Sequence, residues 1–414
     1  MNRRVVITGV GVVSPVGNDV KTFWNNLLNG VSGVEHIPYF DTDPFTSKIA
    51  GIVKDFHPEE RIEKKLLRRM DKFVQFAAFA THEALEMAGL LDSKDYDPER
   101  AGVVIGSGIG STYQLQENAR ILFEKGPMRI SPFFIPMMIA DMASGQVAIL
   151  HNLQGPNFCV TTACASGAHS IGEAYRWIKH GYADVMIAGG TEAAVTELAV
   201  GGFCVMRALS TRNDEPQRAS RPFDAERDGF VIAEGAGILI LEELEHAKKR
   251  GAKILAEIVG YGASGDAYHI TAPHPEGRGA AQAIKMALEE AGITPEDIDY
   301  INAHGTSTKL NDTMETKAIK AVFGERAYKI PVSSTKSMIG HTLGAAGGIE
   351  SVATVMSIID QKVHPTINYE NPDPECDLDY VPEGPREVKI KYALKENFGF
   401  GGHNAVLIYK KYEE

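Results

Sequence analysis

Short runs rich in Val and Ile alternate with segments of helical period from one end of this chain to the other. The runs Arg4–Thr8, Gly102–Ile105, Asn157–Thr161, Asp184–Ala188 and Gly237–Leu241 read as strands bounded by glycine or polar residues. Helices are predicted over Val20–Asn29, Arg69–Met87, Ser166–His180, Ala280–Ala291, Met314–Phe323 and Gly348–Gln361. Such alternation restricts the chain to a layered α/β architecture with a parallel or mixed sheet. A strand running into Gly-x-Gly occurs twice, at Val5–Gly11 and at Ala256–Gly262. The recurrence suggests two similar halves, 1–250 and 251–414. No Pro/Ser tract separates them, so one body is expected rather than mobile domains.

The Gly-x-Gly elements do not make a dinucleotide site. Gly9-Val10-Gly11-Val12-Val13-Ser14 lacks the third glycine and meets Pro15 where a helix should start. Gly106-Ser107-Gly108-Ile109-Gly110 has no clear acidic ribose ligand downstream. Tight turns and close backbone approach explain both.

Charge and cysteine content narrow the setting. The 414 residues carry a formal net charge of −12, which argues against nucleic acid as the main partner. The segment Arg61–Lys72 runs against that balance, setting Arg61, Lys64, Lys65, Arg68, Arg69 and Lys72 against Glu63 and Asp71. It reads either as a solvated helix face or as a docking patch for an acidic partner. Four cysteines (159, 164, 204 and 376) have no paired spacing, so a disulfide framework and a zinc site are both disfavoured. The start is too short in apolar residues for a signal peptide, and no apolar stretch of spanning length is read. A cytoplasmic setting is expected.

Four loops carry candidate chemistry. Cys164 lies among small residues in Thr161-Thr162-Ala163-Cys164-Ala165-Ser166-Gly167, at a strand-to-helix corner. There the dipole and free N–H groups of the helix are expected to lower the thiol pKa. The residues alone leave a nucleophile and a structural thiol both open. His304 follows a predicted strand in Asn302-Ala303-His304-Gly305-Thr306-Ser307-Thr308, and Lys336 and His341 share Ser333–Thr342 ahead of the helix with Glu350. Corners of this kind gather the active sites of α/β proteins, and the histidines lack zinc-motif spacing. Asn397-Phe398-Gly399-Phe400-Gly401-Gly402 offers backbone donors to an oxyanion, or else a plain hairpin turn.

Together these motifs resemble those of the β-ketoacyl-acyl-carrier-protein synthases, in the family's order and over the whole chain, most closely its bacterial elongating branch, the synthase II type. The resemblance implies the thiolase fold, with duplicated halves forming an α-β-α-β-α sandwich, a homodimer, and acyl carrier protein as partner. It implies no cofactor, no metal and no membrane. It assigns Cys164 as the acyl-accepting nucleophile and His304 and His341 as the pair that stabilises the enolate left by malonyl decarboxylation. Lys336 and Glu350 would orient the histidines. The N–H groups of Cys164 and Phe400 would form the oxyanion hole, with the Phe400 side chain as a gate. Substrate contacts are assigned to Ile109, Phe133, Arg207, Thr271, Thr306, Thr308, Phe398 and Gly399, with Phe133 reaching the acyl pocket across the dimer contact. Carrier-protein docking falls to Lys64, Lys65, Arg68 and Arg69, which moves that basic run from solvated face to interface.

Other members of the fold fit less well. A thiolase needs a second cysteine in the carboxyl-terminal loop, and Cys376 lies outside Gly399–Gly402. A starter-type synthase would have asparagine at 341, and a non-catalytic chain-length partner would lack Cys164. A ketosynthase of a type II polyketide pathway shares the same motifs and stays open at this point.

Overall fold

The computed structural model describes residues 3–413. Its main sheet has ten strands, β1 (Val5–Val13), β2 (Ala101–Gly106), β3 (Asn157–Phe158), β4 (Val185–Glu192), β5 (Gly235–Glu243), β6 (Ala256–Gly265), β7 (Tyr300–Asn302), β8 (Val332–Ser333), β9 (Tyr392–Gly399) and β10 (His403–Lys410). Across the sheet they run β8-β7-β9-β10-β6-β1-β5-β4-β2-β3. Read outward from the middle, each half has the same order and the same directions. β2 is parallel to β3 and β4, while β5 is antiparallel to β4 and β1. In the second half β7 is parallel to β8 and β9, while β10 is antiparallel to β9 and β6. The halves join where β1 runs antiparallel to β6 through Val5–Ile7 and Ala256–Ile258.

Helices complete five layers. The first half contributes α1 (Lys72–Ala88), α2 (Met142–His151) and α3 (Ser166–Lys179). The second contributes α4 (Arg278–Ala291), α5 (Lys309–Phe323) and α6 (Ala346–Asp360). α1 and α2 cover one outer face, α4 and α5 the other, and α3 and α6 lie side by side between the two half-sheets. Strands buried on both faces need continuous apolar runs, which is why every residue of β1 is buried. The eighteen residues Leu343–Asp360 are long and apolar enough to cross a membrane, contrary to the sequence expectation. They form α6, one of the two central helices, and its lead-in, and burial inside the protein accounts for their composition.

The duplicated Gly-x-Gly has one physical cause in both halves. A Cβ on Gly9 or Gly11 would fall 2.0 and 1.9 Å from the carbonyl oxygens of Ala84 and Ala80 on α1. On Gly260 and Gly262 it would fall 2.3 and 1.9 Å from those of Ala287 and Ala283 on α4. Each outer helix rests directly on the first strand of its half, and each ends in a left-handed glycine, Gly89 or Gly292.

Candidate active site

The strand β3 stops after two residues, and the chain turns through Ala163–Ala165 into α3. Ala163 holds φ 49°, a conformation costing a non-glycine residue about 1–2 kcal/mol. Side-chain bonds fix the turn: Thr162 N–H donates to Ser166 Oγ at 2.9 Å, and Ser166 Oγ donates to Ala163 O at 2.6 Å. Cys164 is thereby held, buried, at the end of the central helix. The expected depression of its pKa is not found. Burial pushes the thiol up to about 12, against the pull of the Lys336 charge and of the N–H groups of Phe400 and Cys164. Desolvation outweighs the helix end here. The same two N–H groups converge on the sulfur, and Gly399 permits it, since a Cβ there would meet Thr162 O at 2.5 Å.

His304 follows β7 and His341 follows a short helix at Lys336–Ile339; both are buried, with ring centroids 5.3 Å apart and planes at 87°. Burial, then the Lys336 charge, holds both imidazoles well below the usual histidine range, so they are neutral. Their tautomers follow from the donors on Nδ1. Lys336 Nζ lies 3.1 Å from His304 Nδ1, and an ammonium only donates. The Leu343 N–H donates to His341 Nδ1 at 3.1 Å. Both rings therefore carry their proton on Nε2.

Behind His304, Lys336 also donates to the His304 carbonyl at 2.6 Å and pairs with Glu350. Burial drives the Glu350 carboxyl upward, but Lys336 and Lys395 hold it below the ordinary range. Glu315 on α5 accepts the N–H groups of His304 and Gly305 at 2.6 and 2.7 Å, clamping that loop.

One cavity of about 470 Å³ collects most of the expected residues. Cys164, His304, His341 and Phe400 share its wall with Phe398 and Gly399. Ile109, Arg207, Thr271, Thr306 and Thr308 also line it. Thr306 and Thr308 bond each other at 2.9 Å, and Thr308 caps α5. Lys336 and Glu350 stand behind the wall. Phe133 does not line the cavity of this chain; it is exposed, with the Arg69 guanidinium 5.2 Å from its ring. Lys64, Lys65, Arg68 and Arg69 are exposed and form no ion pair among the described residues. Arg61 and Lys72 leave that patch: Arg61 stacks on Phe79 at 4.0 Å, and Lys72 pairs with Glu234 at 2.8 Å. Cys376 is buried in the outer core beneath α4 and α5, away from the cavity.

Residues 2–247 match the family described as the N-terminal domain of beta-ketoacyl synthase, and 255–370 its C-terminal domain. The chain belongs to the β-ketoacyl synthase family. A 3-oxoacyl-[acyl-carrier-protein] synthase 2 of Staphylococcus aureus is 55% identical over 412 residues, covering 100% of this chain and 99% of that one. Another of Synechocystis is 54% identical, covering 99% of each. Among solved structures, the chain superposes at a TM-score of 0.93, with 42% identity and complete coverage of both chains, on a type II PKS acyl-carrier protein in complex with its ketosynthase. A beta-ketoacyl synthase from Burkholderia phymatum gives 0.93 at 37% identity, over 99% of this chain and 100% of that one.

The cavity of this synthase and the cluster behind it also include residues that the sequence reading passed over. Glu192, at the end of β4, lines the cavity and accepts the N–H of Gly108 at 2.7 Å and of Gly344 at 3.0 Å. Burial pushes its carboxyl up to about 7. Lys395 lies in the cluster behind His304, 2.7 Å from Glu350. Its only sequence signal is a Lys-Glu pair between Ala393-Leu394 and the glycine-rich loop.

Proposed function

We propose that this synthase lengthens acyl chains on acyl carrier protein by two carbons in type II fatty acid synthesis. One observation carries the reading: a buried thiol and two neutral imidazoles with protonated Nε2 share a single cavity. Cys164 attacks the thioester of acyl-carrier protein. The acyl C–S bond to the carrier breaks, the bond to Cys164 forms, and the thiol proton leaves with the carrier's sulfur. The oxyanion of that step meets the N–H groups of Cys164 and Phe400. Malonyl-carrier protein then loses carbon dioxide, and its enolate oxygen takes two hydrogen bonds from His304 and His341. The carbanion attacks the acyl-Cys164 carbonyl, and collapse expels the Cys164 sulfur, which regains a proton.

The surroundings support the rest of the reading. A carrier protein of acidic surface fits the unpaired Lys64, Lys65, Arg68 and Arg69, with Arg207 at the cavity. A homodimer is supported by apolar side chains exposed along 123–149, Phe123 and Met128 at 85% and 93%, on the half whose outermost strand is the edge strand β3. Four free cysteines agree with a reducing, cytoplasmic setting. The polyketide alternative is weaker, because the 3-oxoacyl-[acyl-carrier-protein] synthase 2 relatives stand at 54–55% identity against 42% for the type II PKS ketosynthase.

The test is mass spectrometry of products from malonyl-carrier protein and a ladder of acyl-carrier proteins. A β-ketoacyl product two carbons longer is expected from each accepted primer. Repeated condensation without reduction would move the enzyme to the polyketide class, and absence of product would reject the reaction.

A further inference from the structure

Strand β9 places Lys395 and Glu396 side by side in a stretch where both are completely buried. Lys395 Nζ lies 2.7 Å from Glu350 Oε2 and donates to the Glu396 carbonyl. Lys336 holds the other oxygen, Oε1. One buried carboxylate is thus clamped between two ammonium groups, one of which also touches His304. Asn397 closes the ring, donating to Glu350 Oε2 at 3.0 Å with its Nδ2 3.3 Å from His304 Nδ1.

We propose that Lys395 is a positioning residue for malonyl decarboxylation: by occupying Glu350 Oε2, it leaves the Lys336 ammonium committed to Nδ1 of His304. The inference rests on His304 being an enolate donor. Two ammonium groups stand against the carboxylates of Glu350 and Glu315, so Lys395 offsets negative charge behind a pair of neutral imidazoles, which supply only dipoles. Burial, then the neighbouring Glu315, pushes the Glu396 carboxyl well above the usual carboxylate range. Removing Lys395 would let Glu350 draw Lys336 away and would strip positive potential from the place where enolate charge forms. Glu350 on α6, Lys336 on its short helix, Glu315 on α5, Glu396 on β9, and His304 and His341 in their loops are the charged or titratable groups that face it. Burial brings Lys395 down to about 8, with Glu350 and Glu315 pulling up and Lys336 pulling down. Its charge is present below that pH and lost above it, so decarboxylation falls as pH rises through this value.

The test measures decarboxylation of malonyl-carrier protein against pH for the wild type, Lys395→Met and Lys395→Gln. Acylation of Cys164 by acyl-carrier protein serves as the folding control. Wild type should lose activity with a midpoint near pH 8. Lys395→Met should be about ten- to a hundredfold slower at neutral pH, the range for groups that orient a ligand from behind. It should also lack the alkaline limb while acylating normally. A Met variant with wild-type rate, or with the limb retained, overturns the proposal. If it fails to acylate, the Gln variant decides on the same two readouts. His304→Ala in the same assay separates the causes. Retained decarboxylation there rejects the enolate reading, whereas its loss beside an unaffected Lys395→Met rejects this inference alone.

Discussion

The central helix α3 follows a tight turn at Ala163-Cys164-Ala165, and its counterpart α6 follows one at Leu343-Gly344-Ala345. Both turns start from a left-handed residue, at φ 49° and 51°. In the first half the middle residue presents a thiol to the cavity. In the second it is a glycine whose Cβ would sit 2.2 Å from Gly108 N and 2.7 Å from Glu192 Oε2. The duplicated fold thus builds two equivalent corners but leaves room for a nucleophile at only one. The second half contributes the histidines and the charged residues behind them instead, and Glu192 ties the second corner to the loop after β2 by accepting the N–H groups of Gly344 and Gly108. On the proposed mechanism, the duplicated scaffold places the acyl-accepting thiol on one repeat and the enolate donors on the other.

Removing the thiol is the most severe way to test that division. Cys164→Ala should abolish acyl transfer, a loss on the order of 10⁴-fold or more, while malonyl decarboxylation persists. Intact-protein mass spectrometry after exposure to acyl-carrier protein reads the first, and carbon dioxide release the second. Acylation of the variant at another residue would break the comparison.

His304→Ala and His341→Ala test the other half. Each removes one Nε2–H donor, and decarboxylation should fall about 10²–10³-fold, the usual cost of one oxyanion donor. Acyl transfer to Cys164 should suffer less. Because both rings are held well below 6.5, no acidic limb with a midpoint near 6.5 should appear in the wild-type pH profile. A limb there would mean that the rings titrate as ordinary exposed histidines do.

The corner glycine gives a stability test. Gly344→Ala pushes a methyl into Gly108 N and Glu192, so it should cost about 1–3 kcal/mol of unfolding free energy, measured by denaturant titration. Cys164→Ala, which only shortens a side chain facing the cavity, should cost less. Equal losses would show that the two corners are packed alike.

These contrasts also mark what could be read without coordinates. The ends of α3 and α6 fall within two residues of the periodicity, because apolar period and glycine stops record burial and capping directly. α5 begins five residues before the predicted Met314, since its first turn, Lys309-Leu310-Asn311-Asp312, is set by the Thr308 cap rather than by an apolar stripe. The strand predicted over Asn157–Thr161 is only two residues long, since the chain must turn early to present Cys164. The loops bearing Cys164, His304, His341 and Phe400 were found through small and polar residues at strand ends. Lys395 and Glu315 were missed for the opposite reason. A charged side chain is read as exposed unless its partner is known, and Glu350 comes from a distant part of the chain. The thiol was misjudged because sequence shows the helix end but not the desolvation that opposes it.

The halves differ once more just ahead of their outer helices. Before α4, the segment Asp266–Gly277 turns inward, and Asp266, Thr271, Ala272 and Pro273 line the cavity. Before α1, the segment with Lys64, Lys65, Arg68 and Arg69 stays on the surface with its charges unpaired. If this segment guides the carrier protein, its effect is long-range and belongs to association rather than chemistry. Lys65→Glu/Arg68→Glu/Arg69→Glu should raise KM for acyl-carrier protein by about three- to tenfold at low salt, and by less as ionic strength shortens the reach of the charges. The kcat of the variant and its turnover of a pantetheine thioester lacking the carrier should stay at wild-type values. Unchanged KM would leave the patch a solvated face. An equal loss on the carrier-free thioester would mean that the segment shapes the cavity, as its counterpart before α4 does.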